Sequence, residues 1–163
     1  MCGRFTQTYP LIVLQQHFSC KTSLNSLDSN YNIAPGQYTP IIIKNHCGRY
    51  LLNILWGLTP SWSNQKTSNY KMINIRSESF PVKPYLKKLL KHKRCLVPAD
   101  GFYEWQHTSS GDKIPYRFFL KSEKLFSMAG IWEEWESSEG EILQSFAIIT
   151  LEANGLIRPI HER

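Results

Sequence analysis

Apolar residues recur at helical spacing in two short segments of the chain. Residues 10–18 carry one apolar stripe and predict a short helix with that stripe on the core. Residues 84–93 carry a second stripe opposite a row of lysines, which predicts a basic amphipathic helix with a solvated lysine face. The stripes consist of Leu11, Val13, Leu14 and Phe18 in the first segment and of Leu86, Leu89 and Leu90 in the second.

Short apolar runs separated by turn residues make up most of the remaining chain. They predict strands at residues 41–44, 50–56, 72–76, 115–120, 125–131 and 146–150, and a strand–turn–strand unit at residues 94–105. Residues 50–56 are apolar on both faces, which predicts a strand covered on two sides. Polar residues predict loops at 19–30 and 63–68 and turns at 109–113 and 137–141. The pattern therefore predicts one mostly antiparallel α+β domain.

The composition fits a folded domain with an anionic partner. Hydrophobic residues make up 42% and aromatic residues 13% of the 163 positions, which excludes a disordered chain. The formal net charge of +6 favours a partner such as nucleic acid. No apolar run is long enough for a membrane span and no signal peptide is evident, so an intracellular protein without membrane contact is expected. The four cysteines lack paired spacing, so neither zinc binding nor disulfides are predicted.

Cys2 follows the initiator methionine directly, and removal of Met1 would leave it as the first residue. It would then carry an α-amine with a pKa of ~7.7–8.0 and a thiol with a pKa of ~8.5, both nucleophilic near neutrality. An aldehyde can condense with the amine to an iminium, and the sulfur can close on that carbon to form a thiazolidine. This second step is intramolecular and therefore favoured. The alternative is that Cys2 is simply a small residue tucked under a first strand.

Five motifs occur in one order along the chain. They are MCGRF at residues 1–5, WGLTPSW at 56–62, NIRSE at 74–78, PADGFYEW at 98–105 and IHER at 160–163. Together they closely resemble the SRAP (SOS response-associated peptidase) family across the whole chain. The resemblance implies a fold of twisted, mostly antiparallel sheets that form a barrel-like core with a few short helices. It also implies a single domain, truncated at its C-terminus, because relatives continue beyond Arg163.

The resemblance further implies a function. Family members sense abasic sites in single-stranded DNA and form a covalent thiazolidine crosslink through the N-terminal cysteine, which shields the lesion during the DNA damage response. It implies a monomer without cofactor or metal, located in the cytoplasm or, in a bacterium, on the nucleoid. The expected enzyme class is a peptidase or other hydrolase, with possible lyase activity.

The resemblance also assigns roles to particular residues. The crosslinking nucleophile is Cys2, assisted by Asn74, Glu104 and His161; the phosphate contacts are Arg4, Arg76 and Arg163; and the apolar wall that stacks on bases is Pro40, Trp62 and Trp105. The remaining tryptophans, Trp56, Trp132 and Trp135, are expected in the core or at its rim. Ile75 and Leu151 depart from the residue types usual in relatives.

The three assisting residues have side chains suited to this chemistry. Glu104 can hold the amine and carry its proton, and His161 can protonate a sugar or phosphate oxygen to aid ring opening. Asn74 can only orient groups by hydrogen bonding. Without the resemblance, Glu104 and His161 would be interpreted as surface residues and Asn74 as a turn residue at a strand end.

Two other functions remain compatible with the sequence. One is a peptidase with Cys2 as N-terminal nucleophile, the α-amine as base and Asn74 as oxyanion donor. The other is a non-covalent module for single-stranded DNA, which needs only the positive charge and the aromatic side chains. The lysines of residues 84–93 could contact a trailing strand, although a solvated face is favoured.

Overall fold

The computed structural model describes residues 2–64, 72–121 and 125–163, which form ten strands and three short helices. The helices are α1 (Leu11–Phe18), α2 (Ser79–Val82) and α3 (Pro84–His92). The strands are β1 (Arg4–Gln7), β2 (Asn30–Ile33), β3 (Tyr38–Asn45), β4 (Gly48–Trp56), β5 (Asn74–Arg76), β6 (Arg94–Ala99), β7 (Gly101–His107), β8 (Lys113–Phe118), β9 (Phe126–Glu136) and β10 (Ile142–Thr150). Within these ranges no helix has the length and apolar content needed to cross a bilayer.

The strands form two sheets that account for the predicted barrel-like core. The larger sheet has the order β4-β3-β6-β9-β10-β5 and closes on itself, because β10 also pairs with β4. The smaller sheet has the order β2-β1-β7-β8. All pairings are antiparallel except those of β10 with β4 and β5. The mostly antiparallel α+β fold predicted from the sequence is confirmed.

The barrel interior is filled by aromatic and branched side chains from both sheets. Trp56 is fully buried; its ring lies edge-on to Phe5 at 5.1 Å and stacks on Phe146 at 6.4 Å. Its indole N–H donates to the Ile73 carbonyl at 2.9 Å, so the polar atom of this side chain is also satisfied. Phe5 brings β1, and therefore the start of the chain, into the same core.

The helices cover the outside of the barrel as their patterns predicted. Leu14 of α1 packs in one cluster with Leu51 of β4, which explains why β4 is apolar on both faces. Leu86 and Leu89 of α3 are buried against the barrel, while most lysines of this helix are exposed. Lys93 differs from the prediction, because it is half-buried with its ammonium 4.1 Å from the Trp132 ring centroid.

Several element boundaries differ from the sequence-based prediction. β9 and β10 are longer than predicted, because polar residues such as Glu134 and Gln144 pair across the hairpin at 2.9 Å on its solvent side. β8 begins at Lys113, inside a predicted turn, where its partner is His107. β2, β1 and α2 were not predicted as elements, and the predicted loop at 63–68 lies partly outside the described residues. Tertiary pairing decides these boundaries, and local hydrophobicity does not reveal it.

A buried carboxylate fastens β1 to the rest of the molecule. Asp100, between β6 and β7, is only 5% exposed and accepts hydrogen bonds from the hydroxyls of Thr6 and Thr8 and from the Thr8 N–H at 2.9 Å. Arg117 of β8 pairs with it at 3.1 Å. Burial raises the pKa of Asp100, but the bonds from Thr6 and Thr8 and the charge of Arg117 outweigh it and lower the pKa below its ordinary value of 3.8.

We therefore expect Asp100→Ala to lower the free energy of unfolding by roughly 3 kcal/mol at pH 7, because buried hydroxyl and N–H donors lose a charged acceptor. Arg117 contributes little to this value, since its side chain is 41% exposed and screened by solvent. A carboxyl group whose pKa is lowered on folding stabilises the protein at pH values above its ordinary pKa. This contribution is lost as the pH falls through the pKa of the folded state. Urea unfolding should thus show a smaller difference between wild type and variant at a pH well below 3.8 than at pH 7.

The exposed Asp28 provides the matched control, and Asp28→Ala should change the free energy of unfolding by less than about 0.5 kcal/mol. Equal losses in the two variants would contradict the role given to Asp100.

Candidate functional site

Cys2 lies at the wall of an open cleft, directly before β1. It is 7% exposed and packs in the barrel core, yet it lines a cleft of about 450 Å³. The remaining lining comes from β7, β9, β10 and the terminal segment 151–163, and includes Phe102, Glu104, Met128, Ile148, Leu151, Ala153, Ile157 and Arg163. The first cysteine is therefore buried on one side and faces a cavity on the other, as a reactive residue in a pocket requires.

Glu104 is the acidic group of this cleft. It lies on β7, two residues after Phe102 and on the same face of the strand, and is only 2% exposed. Burial first, and then the negative charge of Glu104, raise the pKa of the Cys2 thiol to about 12. The thiol is consequently protonated near neutral pH, and its Sγ lies 3.7 Å from the Arg4 carbonyl oxygen.

Asn74 holds the backbone of Cys2. It begins β5, where it pairs with Ile148 of β10, and its Nδ2 donates to the Cys2 carbonyl oxygen at 2.7 Å. Its Oδ1 is buried and has no hydrogen-bond partner among the described residues. Asn74 lies beside the first residues of the chain through its bond to Cys2, and this oxygen is suited to accept a hydrogen bond from an α-ammonium on Cys2.

His161 lies in the terminal segment that folds across the cleft. The segment closes with a bond from the Ala153 N–H to the Glu162 carbonyl at 2.9 Å, and the His161 N–H donates to the Ile157 carbonyl at 3.0 Å. The imidazole Nδ1 accepts from the Arg163 N–H at 3.0 Å. The proton of the neutral imidazole is therefore carried by Nε2. His161 itself does not line the cleft, but Arg163, two residues later, does.

The three predicted phosphate contacts differ in their surroundings. Arg4 is half-buried, and its guanidinium donates to the Gly3 carbonyl at 2.8 Å. Arg76 is exposed at the end of β5 and borders a second hollow of about 610 Å³. The rest of that hollow is lined by Glu152, Arg158, Glu162 and Arg163. Arg158 was missed by the sequence analysis; its position three residues before His161 was the available signal.

Arg163 does not have the free guanidinium that its predicted role requires. Its Nη1 and Nη2 donate to the two carboxylate oxygens of Glu78 at 3.1 and 2.9 Å, and Nη2 also donates to the Thr150 carbonyl at 2.9 Å. A phosphate would have to displace Glu78 to bind here. Glu78 therefore competes with a phosphate for this guanidinium, and the direct phosphate contact of Arg163 stays a prediction.

The predicted apolar wall is not one surface, and none of its three members lines the cleft of Cys2. Trp62 is 69% exposed and lies edge-on to Tyr85 at 6.1 Å. Trp105 is half-buried on the face of β7 opposite to Glu104. Pro40 is buried within β3 and borders a separate hollow of about 240 Å³. Because Pro40 is buried, it offers little surface to a base in the DNA-free protein, and its stacking role stays a prediction.

The loop that carries Trp62 is held firmly although the indole is exposed. The buried carboxylate of Glu133 accepts from the Ser61 N–H at 3.0 Å and from the Tyr85 hydroxyl. The indole N–H of Trp135 donates to the Ser63 carbonyl at 2.6 Å. Burial first, and then Glu133, raise the pKa of Tyr85, so its hydroxyl remains a donor.

The other tryptophans lie in the core or at its edge. Trp56 and Trp135 are buried in the core and Trp132 is half-buried beside Lys93, in line with the prediction. All four cysteines lie in the described ranges and are free thiols, with Cys47 exposed and the other three buried. Among the described residues there is no group of three or more histidine, cysteine, aspartate or glutamate side chains that could hold a metal ion.

Comparison with known proteins identifies relatives over the whole chain. The family model described as SOS response associated peptidase (SRAP) matches residues 1–163. The Abasic site processing protein YoqW of Bacillus subtilis is 40% identical over 165 residues, which cover all of this chain and 74% of that protein. The Abasic site processing protein HMCES of Xenopus tropicalis is 34% identical over 82% of this chain and 49% of its own length.

Solved structures show the same fold. A crystal structure of a protein from Bacteroides thetaiotaomicron superposes with a TM-score of 0.87 at 30% identity, covering 98% of this chain and 72% of that one. A crystal structure from Bordetella bronchiseptica gives a TM-score of 0.82 at 21% identity, covering 98% and 78%, and supports the fold alone.

The raised pKa and burial of Cys2 predict low intrinsic thiol reactivity. On brief treatment with iodoacetamide at pH 8, Cys47 should be alkylated at least tenfold faster than Cys2, because alkylation requires an accessible thiolate. Peptide mapping by mass spectrometry at successive times measures both rates, and unfolding in urea should make the rates similar. Rapid labelling of Cys2 in the folded protein would show that the thiol is already activated.

Proposed function

Because this chain belongs to the SOS response associated peptidase (SRAP) family, we propose that it senses abasic sites in single-stranded DNA and captures them covalently through Cys2. The observation that carries the proposal is the placement of Cys2 and the buried Glu104 on one cleft. Relatives whose names describe abasic site processing support the same substrate. The covalent product would shield the lesion during the DNA damage response, in the compartment that holds the DNA.

The first step uses the α-amine that removal of Met1 creates on Cys2. The amine adds to the aldehyde carbon of the ring-opened abasic sugar and forms a carbinolamine, which loses water to give an iminium. Glu104 accepts the proton released by the amine and returns a proton to the departing hydroxyl. Asn74 fixes the carbonyl of Cys2 at 2.7 Å and thereby orients the amine that is attached to the same α-carbon.

The second step uses the thiol of the same residue. In the free protein the thiol is protonated, because its pKa is raised to about 12. The positive charge of the iminium favours the thiolate and lowers that pKa when it is needed. Sulfur then bonds to the former aldehyde carbon, the thiol proton leaves to a nearby base, and a thiazolidine results. Overall, the aldehyde and the aminothiol yield the thiazolidine and one water.

The remaining site residues are proposed to bind and prepare the substrate. His161 with its proton on Nε2 can donate to a sugar oxygen and favour the ring-opened aldehyde. Arg4, Arg76 and Arg158 can contact phosphates, which makes binding dependent on salt and nearly independent of sequence. The exposed face of Trp62 and the half-buried Trp105 can each stack on a base, worth ~1–3 kcal/mol.

The proposal is tested with an oligonucleotide that carries one abasic site and is separated on a denaturing gel. Protein that has lost Met1 should give a one-to-one adduct that survives denaturation and is absent with undamaged DNA. Cys2→Ala should give no adduct, whereas Cys47→Ala, which removes an exposed thiol, should behave as wild type. Glu104→Gln should slow adduct formation on the order of a hundredfold, because the proton carrier is lost.

Three outcomes would contradict the proposal in different ways. An adduct retained by Cys2→Ala would indicate ordinary lysine condensation. Equal DNA binding by wild type and Cys2→Ala without any adduct would indicate a non-covalent binding module. Turnover of a peptide in trans that depends on Cys2, without DNA capture, would indicate the peptidase chemistry that the family description names.

A further inference from the structure

Glu78 ends the motif at residues 74–78 and takes no part in the proposed bond-forming steps. Its carboxylate is half-exposed and receives two parallel hydrogen bonds from the Arg163 guanidinium, at 3.1 and 2.9 Å. The same guanidinium donates to the carbonyl of Thr150, the last residue of β10, at 2.9 Å. Arg163 is therefore bound at two places, one in the turn after β5 and one at the end of β10.

The backbone of Arg163 continues this chain of contacts to the imidazole. Its N–H donates to His161 Nδ1 at 3.0 Å and fixes the neutral tautomer that carries its proton on Nε2. The terminal segment that holds both residues also supplies Ala153 and Ile157 to the lining of the cleft. Backbone bonds hold the main chain of His161, so the anchoring of Arg163 bears on the orientation of the imidazole ring.

We propose that Glu78 is a positioning residue: it anchors Arg163, which lines the cleft of Cys2, and thereby holds the nearby His161 imidazole in its Nε2–H form. This inference rests on the proposed function for its kinetic consequence but not for its structural one. It differs from the assignment of Arg163 as a phosphate contact, because it makes the protein's own carboxylate the functional partner of the guanidinium.

The Glu78 carboxylate keeps its negative charge over the pH range in which DNA is bound. Hydrogen bonds from Arg163 lower the pKa of Glu78 to about 2, so the carboxylate is ionised at every pH at which DNA is bound. The hydrogen bond to Glu78 first, and then the charges of Glu78 and Glu152, raise the pKa of Arg163, while Arg76 and Arg158 border the same hollow. A bidentate salt bridge between arginine and carboxylate fixes the orientation of the guanidinium as well as its position. Any pH dependence of the reaction should therefore come from groups other than this pair.

The kinetic test measures the rate constant of adduct formation at saturating protein, together with the Kd for undamaged single-stranded DNA. Glu78→Gln should slow adduct formation on the order of tenfold, since the imidazole is misplaced rather than removed. The Kd should stay unchanged. In a His161→Ala background the same substitution should cause no further loss, because the two residues act through one group. Glu139→Gln, which removes an exposed glutamate from the β9–β10 turn, should match wild type in both measurements.

Two results would overturn the inference. Tighter binding of undamaged DNA by Glu78→Gln, without slower capture, would show that Glu78 merely masks a phosphate-binding arginine. An equal loss of rate in the presence and absence of His161 would show that Glu78 acts by another route. If wild type forms no adduct at all, the proposed function fails instead, and the structural claim is decided by the spectroscopic measurement below.

The tautomer of His161 is measured directly by long-range ¹H–¹⁵N spectra of the imidazole, assigned with His161→Ala. Wild type should show a non-protonated Nδ1 and a protonated Nε2 at pH 8, whereas Glu78→Gln should show a mixture of tautomers. An unchanged tautomer in a folded Glu78→Gln variant would overturn the inference whether or not DNA is captured.

Discussion

The structure depends on how firmly the first residues of the chain are fixed. A residue at a chain end usually frays, yet here the Cys2 carbonyl is held by Asn74 at 2.7 Å and β1 is paired on both sides, with β2 and β7. The buried Asp100 fastens the far end of β1 through Thr6 and Thr8. This constraint matters because an amine and a thiol on one residue can reach the same carbon only if that residue is held beside the substrate.

The same burial sets the reactivity of the site. Placing Cys2 in the barrel core beside Glu104 keeps the thiol protonated, which opposes nonspecific oxidation and alkylation. A thiol that is unreactive in the free protein suits a reaction in which the amine acts first. The positive charge of the resulting iminium then activates the sulfur. Glu104 then has two effects that follow from one charge: it disfavours the thiolate before the aldehyde arrives and favours the iminium afterwards.

Elements with a strong local signal could be predicted from the sequence. The helices α1 and α3 and the two-sided burial of β4 follow from apolar periodicity, and the motif order indicated the family and the barrel-like fold. The pairing of Glu104 with Cys2 across a cleft could be expected only from the resemblance. Contacts that depend on tertiary structure could not be predicted. Examples are the burial of Pro40 and the ion pair between Arg163 and Glu78, which lie 85 positions apart. Long-range pairing likewise extends β9 and β10 through polar residues that no hydrophobic pattern marks.

The central claim is that both heteroatoms of Cys2 end on one carbon of the abasic sugar. It is tested most directly by the ¹³C spectrum of an adduct formed with an oligonucleotide labelled at the aldehyde carbon of the lesion. Capture by the aminothiol of Cys2 predicts a single tetrahedral carbon bonded to one nitrogen and one sulfur, with no trigonal imine signal. An imine, or a carbon attached to a lysine nitrogen, would contradict it.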